Sequence, residues 1–168
     1  GPPAGNSLSK DIDSYQEAFD LLFKSIVYTT SLVVPKMQKN KWGRIINVAS
    51  VSVKEPLNYL VLSNSIRSAV VAWAKSLSVD VGKYGVTVNS ILTGYFDTER
   101  IKELNKEKSK SLNISEEEVL EKMKSLVPVN RLGKTEEYGY LVSFLSSDKA
   151  SYINGASIPI DGGLLRSY

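Results

Sequence analysis

Three side chains with usable chemistry lie close together in the sequence: Ser50, Ser63 and Arg67. Arg67 follows Ser63 by four residues, which is about one helical turn, so both can lie on one face of a helix. A guanidinium stays protonated and carries five donors, so Arg67 can hold a ribose or a phosphate. Ser63 is a poor general acid at neutral pH, because an aliphatic hydroxyl is far less acidic than a phenol with its unperturbed pKa of about 10.

A phenol is available nearby in Tyr59, which precedes Ser63 by four residues. If the helix has already begun there, Tyr59 shares the face of Ser63. The favoured interpretation of Tyr59 is nevertheless packing in a loop or at an interface. Ser50 could instead be a serine that caps a turn at the end of a strand, and Arg67 could be a surface or salt-bridged helix residue.

The composition excludes several classes of site. Cysteine and histidine are both absent, which excludes disulfides, thiolate or histidine-ligated metal sites and serine–histidine catalysis, so we expect no metal. The net charge of +3, from 21 basic and 18 acidic residues, is too balanced to indicate nucleic acid. The lysine-rich segment 102–110 is typical of a solvated helix face.

We also expect no contact with a membrane. No apolar run approaches the roughly 18 residues of a membrane span. The first ten residues lack the basic and apolar regions of a signal peptide. A cytoplasmic location is the default expectation.

Hydrophobic periodicity predicts an alternation of helices and strands. Apolar residues at helical spacing predict helices over 14–37 and 58–81 and from residue 135, together with a charged helical region over 99–124. Near-continuous apolar runs predict strands over 44–49, 86–92 and 156–160.

Turn and capping residues predict where these elements end. Gly82 is a plausible left-handed cap, and Ser115 with Glu118 forms a capping box for a new helix. Thr135 is expected to cap the helix that follows it. Pro159 cannot donate to a ladder, which predicts an edge strand.

The alternation favours an α/β fold with a parallel sheet and right-handed crossovers. Three strands are few for such a sheet, and one edge of the strand over 44–49 has no evident partner. We infer the carboxyl-terminal half of a larger doubly wound domain, with the residues upstream of Gly1 removed or left out.

Five segments, in this order, carry a resemblance to the short-chain dehydrogenase/reductase (SDR) family. They are GRIINVAS, SIRSAVVAWAKSLSVDVGKYGVTVNSI, TGYFDT, NRLGKTEE and INGASIPIDGG. The resemblance implies a single partial domain over 1–168 with a Rossmann-like doubly wound parallel sheet. It also implies NAD or NADP as cofactor and hydride transfer between nicotinamide and a small carbonyl or alcohol substrate.

The resemblance assigns catalytic positions to four residues. Ser50 matches the serine that hydrogen-bonds the substrate carbonyl. Ser63, thirteen residues later, stands where the family has its proton-transferring tyrosine. Arg67 replaces the lysine that lowers the pKa of that tyrosine and holds the nicotinamide ribose. Leu22 falls near the position of a fourth family residue, an asparagine, which this sequence therefore lacks.

The same resemblance places the nicotinamide beside the loop TGYFDT, through Thr93, Gly94, Phe96 and Thr98, with Thr93 in place of proline. Tyr95 in this loop is a second candidate proton donor, although a lid or packing role is favoured. Thr98 is also compatible with capping the next helix. The glycine-rich turn that binds the pyrophosphate is absent from the sequence, so the chain alone should bind a dinucleotide poorly.

Two alternatives to an enzyme remain open: a catalytically inactive SDR-like protein with a binding or assembly role, and a proteolytic fragment. The resemblance makes segment 101–127 a helical substrate lid. It also implies a homodimer or homotetramer through the helices 14–37 and 58–81. Tyr28, Val71 and Trp73 could supply that interface, with core packing the default for each.

Overall fold

A computed structural model describes residues 1–167. Its sheet has three parallel strands in the order β1-β2-β3: β1 (Gly43–Val48), β2 (Val86–Thr93) and β3 (Ser157–Ile160). The α-helices are α1 (Ile12–Phe19), α2 (Ser25–Asn40), α3 (Val61–Gly82), α4 (Glu99–Leu112), α5 (Glu116–Ser125) and α6 (Thr135–Leu145). A π-helical turn, Asp20–Lys24, joins α1 and α2 into one helix over Ile12–Asn40.

Helices cover both faces of the sheet. On one face of β2, Val86 and Val88 pack with α2 and α3; on the other, Ile91 packs with α6. Burial on both faces explains why β2 is almost continuously apolar. The predicted α/β fold with a parallel, Rossmann-like sheet is confirmed, and so are the element types along the chain.

The sheet edges also agree with the sequence. β3, with Pro159, lies at one edge. β1 lies at the other and pairs only with β2 among the described residues. Val48, at the end of β1, is 53% exposed.

Of the three predictions about helix caps, two are wrong and one is confirmed. Gly82 remains helical, and the left-handed glycine is Gly85 with φ 72°, where a Cβ would lie 2.4 Å from a backbone carbonyl. Lys134 occupies the N-cap of α6, so Thr135 is its first helical residue, because Glu137 accepts from the Lys134 N–H at 2.8 Å. The Ser115–Glu118 capping box is present.

The expectation that no apolar run approaches the length of a membrane span is wrong by length and composition. The helix Ile12–Asn40 contains an 18-residue window of mean hydropathy 1.3 that is 11% buried. Asp20 and Lys24 interrupt the apolar run in the sequence, yet they pair at 3.2 Å one turn apart and leave the average apolar. Length and composition alone are weak grounds for a span, and an interface between proteins needs the same exposed apolar face.

The three candidate interface residues lie in different surroundings. Trp73 is half-buried and packs against the α2–α3 core, with the Phe23 ring 6.2 Å away. Val71 packs beside Ala49 and Leu92. Tyr28 is 66% exposed. Trp73 and Val71 therefore pack in the core, as expected by default, whereas Tyr28 does not.

Candidate active site

The residues singled out in the sequence gather at the carboxyl ends of the strands. Ser50 follows β1, Thr93 ends β2, and Asp161 follows β3. This edge is where open parallel sheets bind ligands. A cavity of about 410 Å³ opens there. Its sheet side is formed by Ser50, Tyr59, Thr93, Gly94 and Tyr95, and its other side by α4 and Met123 of α5.

Ser50 lies in the cavity wall with its hydroxyl partly committed. Ser50 Oγ accepts a hydrogen bond from the Ser52 N–H at 3.1 Å and so caps the short helix Val51–Val53. The capping interpretation of Ser50 is therefore correct, and it is compatible with a substrate-facing role. Among the described residues the hydroxyl hydrogen has no recorded acceptor, so it is available to an oxygen in the cavity.

Ser63 and Arg67 meet on α3, as their spacing predicts. Arg67 Nε donates to Ser63 Oγ at 3.2 Å, and Nη1 donates to the carbonyl of Val48 at the end of β1. Burial lowers the pKa of Arg67 from its ordinary value, and the nearby Tyr138 phenol opposes this. Ser63 does not line the cavity. The structure thus places the cation over the end of the sheet and leaves Ser63 as its acceptor.

Tyr59 and Tyr95 both line the cavity. Helix α3 begins only at Val61, so Tyr59 belongs to the preceding loop, where its carbonyl accepts from the Gly5 N–H at 2.8 Å. The helical-turn argument for Tyr59 is wrong, yet its side chain reaches the cavity. Burial raises the pKa of Tyr59, which the Tyr95 hydroxyl opposes. Burial, with help from Tyr59, raises the pKa of Tyr95 to about 12.

A third tyrosine, Tyr138 of α6, was not among the sequence candidates. Its hydroxyl is hydrogen-bonded to Thr93 Oγ1 at 3.2 Å. Its ring meets the Phe96 ring edge-to-face, with the centroids 5.4 Å apart. Burial raises the pKa of Tyr138, while the charge of Arg67 opposes that rise. The sequence signal for Tyr138 was only its place on the apolar face of a predicted helix, which indicates packing rather than a site.

The loop TGYFDT is held rigidly against the body of the protein. The Asp97 N–H donates to the Gly133 carbonyl at 3.0 Å, and the Gly133 N–H donates to the Tyr95 carbonyl at 2.9 Å. Phe96 is buried, and its ring lies directly against Gly133. Thr98 caps α4 by accepting from the Ile101 N–H at 3.4 Å. Gly94 passes so close to β3 that a Cβ there would lie 2.6 Å from the backbone of Asp161.

Comparisons with known proteins agree with this arrangement. Residues 2–165 match a family model described as enoyl-(acyl carrier protein) reductase. The chain is 33% identical to the NADPH-dependent reductase BacG of Bacillus subtilis over 131 residues, and 30% identical to dehydrogenase/reductase SDR family member 4 of Oryctolagus cuniculus over 162 residues.

The chain belongs to the short-chain dehydrogenase/reductase family.

The SDR chain also superposes on a solved structure, that of YwfH, an NADPH-dependent reductase involved in bacilysin biosynthesis. The TM-score is 0.94 at 26% identity, covering 100% of this chain and 65% of that one. The BacG match covers 78% of this chain and 51% of BacG; the rabbit match covers 96% and 59%. The SDR chain therefore spans about half to three fifths of these curated relatives.

Proposed function

We propose that this SDR chain forms part of an NAD(P)-dependent oxidoreductase acting on a small carbonyl or alcohol, with an altered proton-transfer site. The observation that carries the proposal is the cavity that joins Ser50, Tyr59, Thr93 and Tyr95 at the carboxyl ends of the strands. Ser50 donates its free hydroxyl hydrogen to the reacting oxygen and so stabilises negative charge that develops there. The reductase names of the relatives favour this proposal over an inactive SDR-like protein.

The residues present fit the nicotinamide end of a dinucleotide. Arg67 donates hydrogen bonds from Nε and Nη1 to acceptors of the protein. Its Nη2 has no hydrogen-bond partner among residues 1–167, so Nη2 can donate to a ribose hydroxyl. The Thr93–Thr98 loop would flank the ring, with Gly94, Phe96 and Thr98 at the matching family positions. Reduced nicotinamide, when bound, supplies the hydride. Residues for the pyrophosphate would lie in a preceding half of the domain.

Proton transfer falls to a group other than Ser63. Ser63 lies outside the cavity and accepts from Arg67. Tyr59 lies in the cavity wall, and its phenol interacts with that of Tyr95. We therefore assign the role of proton donor to Tyr59 or to a water molecule beside it. A phenol is protonated at neutral pH, as a proton donor requires. Burial raises the pKa of Tyr59, which makes it a weaker acid than a free phenol, so proton transfer from Tyr59 should be slower than from a tyrosine with a lowered pKa.

Site-directed variants of the longest natural form of the protein test this assignment. The assay follows NADH or NADPH oxidation across a panel of ketones. Ser50→Ala should lower kcat by about 10²–10³-fold, the usual effect of losing one donor to a developing oxyanion. Tyr59→Phe should lower kcat and change its pH dependence, whereas Ser63→Ala should leave kcat within a few-fold. Turnover of no ketone by the parent protein would contradict the proposal.

We also propose that the protein is a homodimer or homotetramer. The long helix exposes Leu21, Tyr28 and Leu32, at 59%, 66% and 63%, on one face. A second copy would remove these side chains from water, with a gain of about 25 cal/mol per Å². Leu32→Glu should therefore convert the assembly to monomers in light scattering, while Leu8→Glu, on the exposed amino-terminal loop, should not. A wild-type monomer would overturn this proposal.

A further inference from the structure

The cavity beside Ser50 has a wall that is apolar over most of its extent. Its far side is built from Ile101, Leu104 and Leu112 of α4 and Met123 of α5, with Leu57 completing it from the loop. The charged side chains among the lining residues, Glu107 and Lys108, are exposed. Hydroxyl groups placed against such a wall would lose their hydrogen bonds to water without replacement. The wall therefore disfavours polyhydroxylated substrates.

Two uncharged polar side chains of α4 interrupt the apolar wall: Ser111, which is exposed, and Asn105, which is enclosed. Asn105 of α4 is only 5% exposed, yet Oδ1 has no hydrogen-bond partner among the described residues. It lies between this cavity and a second one of about 530 Å³. Oδ1 itself is enclosed, so a ligand group pairs with the amide nitrogen, or with the oxygen once the amide is turned over. Buried polar groups almost always find a partner, and an amide in a cavity wall suits a ligand group. A hydroxyl fits best, because it donates and accepts and so pairs with either orientation of the amide.

We propose that the cavity binds a carbonyl compound with an apolar body and a single hydroxyl group, which Asn105 recognises. The carbonyl lies at Ser50, and the body lies against Leu104, Leu112 and Met123. The identity of the reacting carbonyl rests on the proposed function. Binding of the apolar body and of the hydroxyl rests on the cavity alone and needs no cofactor.

Three compounds of similar size separate the parts of this proposal. Isothermal titration calorimetry of the protein, without cofactor, compares 4-(4-hydroxyphenyl)butan-2-one, 4-phenylbutan-2-one and the polyhydroxylated ketone L-sorbose. The hydroxyphenyl ketone should bind about tenfold tighter than the phenyl ketone, as expected for one buried hydrogen bond. Both should bind more tightly than L-sorbose. Equal or tighter binding of L-sorbose would overturn the apolar assignment, and equal binding of the two aryl ketones would overturn the role of Asn105.

Matched variants locate the effect in the cavity. Asn105→Leu, of similar size, should abolish the preference for the hydroxyphenyl ketone while leaving the phenyl ketone bound within about threefold or better. Asn40→Leu, at the exposed end of α2, should change neither affinity. An unchanged preference in the folded Asn105→Leu protein would contradict the proposal.

A second pair of variants keeps the proposal testable should Asn105→Leu fail to fold. Leu112 and Leu126 are 51% and 55% exposed, and only Leu112 lines the cavity. Leu112→Asp should weaken both aryl ketones about tenfold, through lost apolar contact and an added charge, while Leu126→Asp should leave them unchanged. Equal effects of the two substitutions would overturn the cavity as the binding site.

The outcomes also separate this inference from the proposed function. Binding in the expected order, with no ketone reduced by the longest natural form supplied with NADH or NADPH, would overturn the oxidoreductase proposal and support the cavity assignment. Reduction of sugars alone, with weak binding of aryl ketones, would support the oxidoreductase and overturn the cavity assignment.

Discussion

Replacing Tyr138 by phenylalanine tests whether the site depends on a contact between distant elements. Tyr138→Phe keeps the edge-to-face packing on Phe96 and removes only the hydroxyl that lies 3.2 Å from Thr93 Oγ1. A hydrogen bond of this kind contributes about 0.5–1.5 kcal/mol to stability. The free energy of unfolding should fall by about that amount.

A double-mutant cycle with Thr93→Val measures the contact itself. Urea unfolding of the two single variants and the double variant should give a coupling energy of about 0.5–1.5 kcal/mol. Either single substitution already breaks the hydrogen bond, so the second one costs nothing more for that bond. Tyr140→Phe, on the same helix but 72% exposed, is the control and should have little effect. Additive effects of Tyr138→Phe and Thr93→Val would refute the coupling between α6 and the end of β2.

Two further substitutions test the buried surroundings of the site. Burial raises the pKa of Tyr95 to about 12, above the value near 10 of an unfolded phenol. Tyr95 therefore binds its proton more tightly in the folded state than in the unfolded state. The resulting contribution to the unfolding free energy is present below pH 10 and is lost as the pH rises toward 12. Tyr95→Phe should make the alkaline fall in unfolding free energy shallower, and an unchanged pH profile would contradict the assignment. Asn89→Ala should lower the unfolding free energy by about 2–4 kcal/mol, by unpairing two backbone groups. Asn89, 1% exposed, donates to the Ile153 carbonyl at 2.8 Å and accepts from the Ala156 N–H at 3.0 Å. A loss in urea unfolding below about 1 kcal/mol would show that water replaces both bonds.

The apolar helix over Ile12–Asn40 shows why composition alone misleads. Apolar residues outweigh the charged pair Asp20 and Lys24 in its composition, so it has the mean hydropathy of a membrane span. The fold packs Val34 and Met37 of this helix against α3 and the sheet, yet only 11% of the apolar window is buried.

The sequence by itself determined the order and type of the elements, because these depend on local patterns. Hydrophobic period and capping are set within one or two turns, so the Ser115–Glu118 box and the buried strand β2 could be read directly. The pairing of Ser63 with Arg67 follows from a spacing of one helical turn.

Only the tertiary structure decided which side chains share the cavity. Tyr138 meets Thr93 across 45 residues of chain, and Tyr59 meets Tyr95 from a loop that precedes α3. Neither contact leaves a trace in local spacing, since each depends on how α6 and the loop after Ser50 pack at the end of the sheet. The sequence thus identified Ser50, Arg67, Tyr59 and Tyr95 as candidates. Long-range packing brought the two phenols into one cavity, added Tyr138 and set Ser63 apart from the cavity.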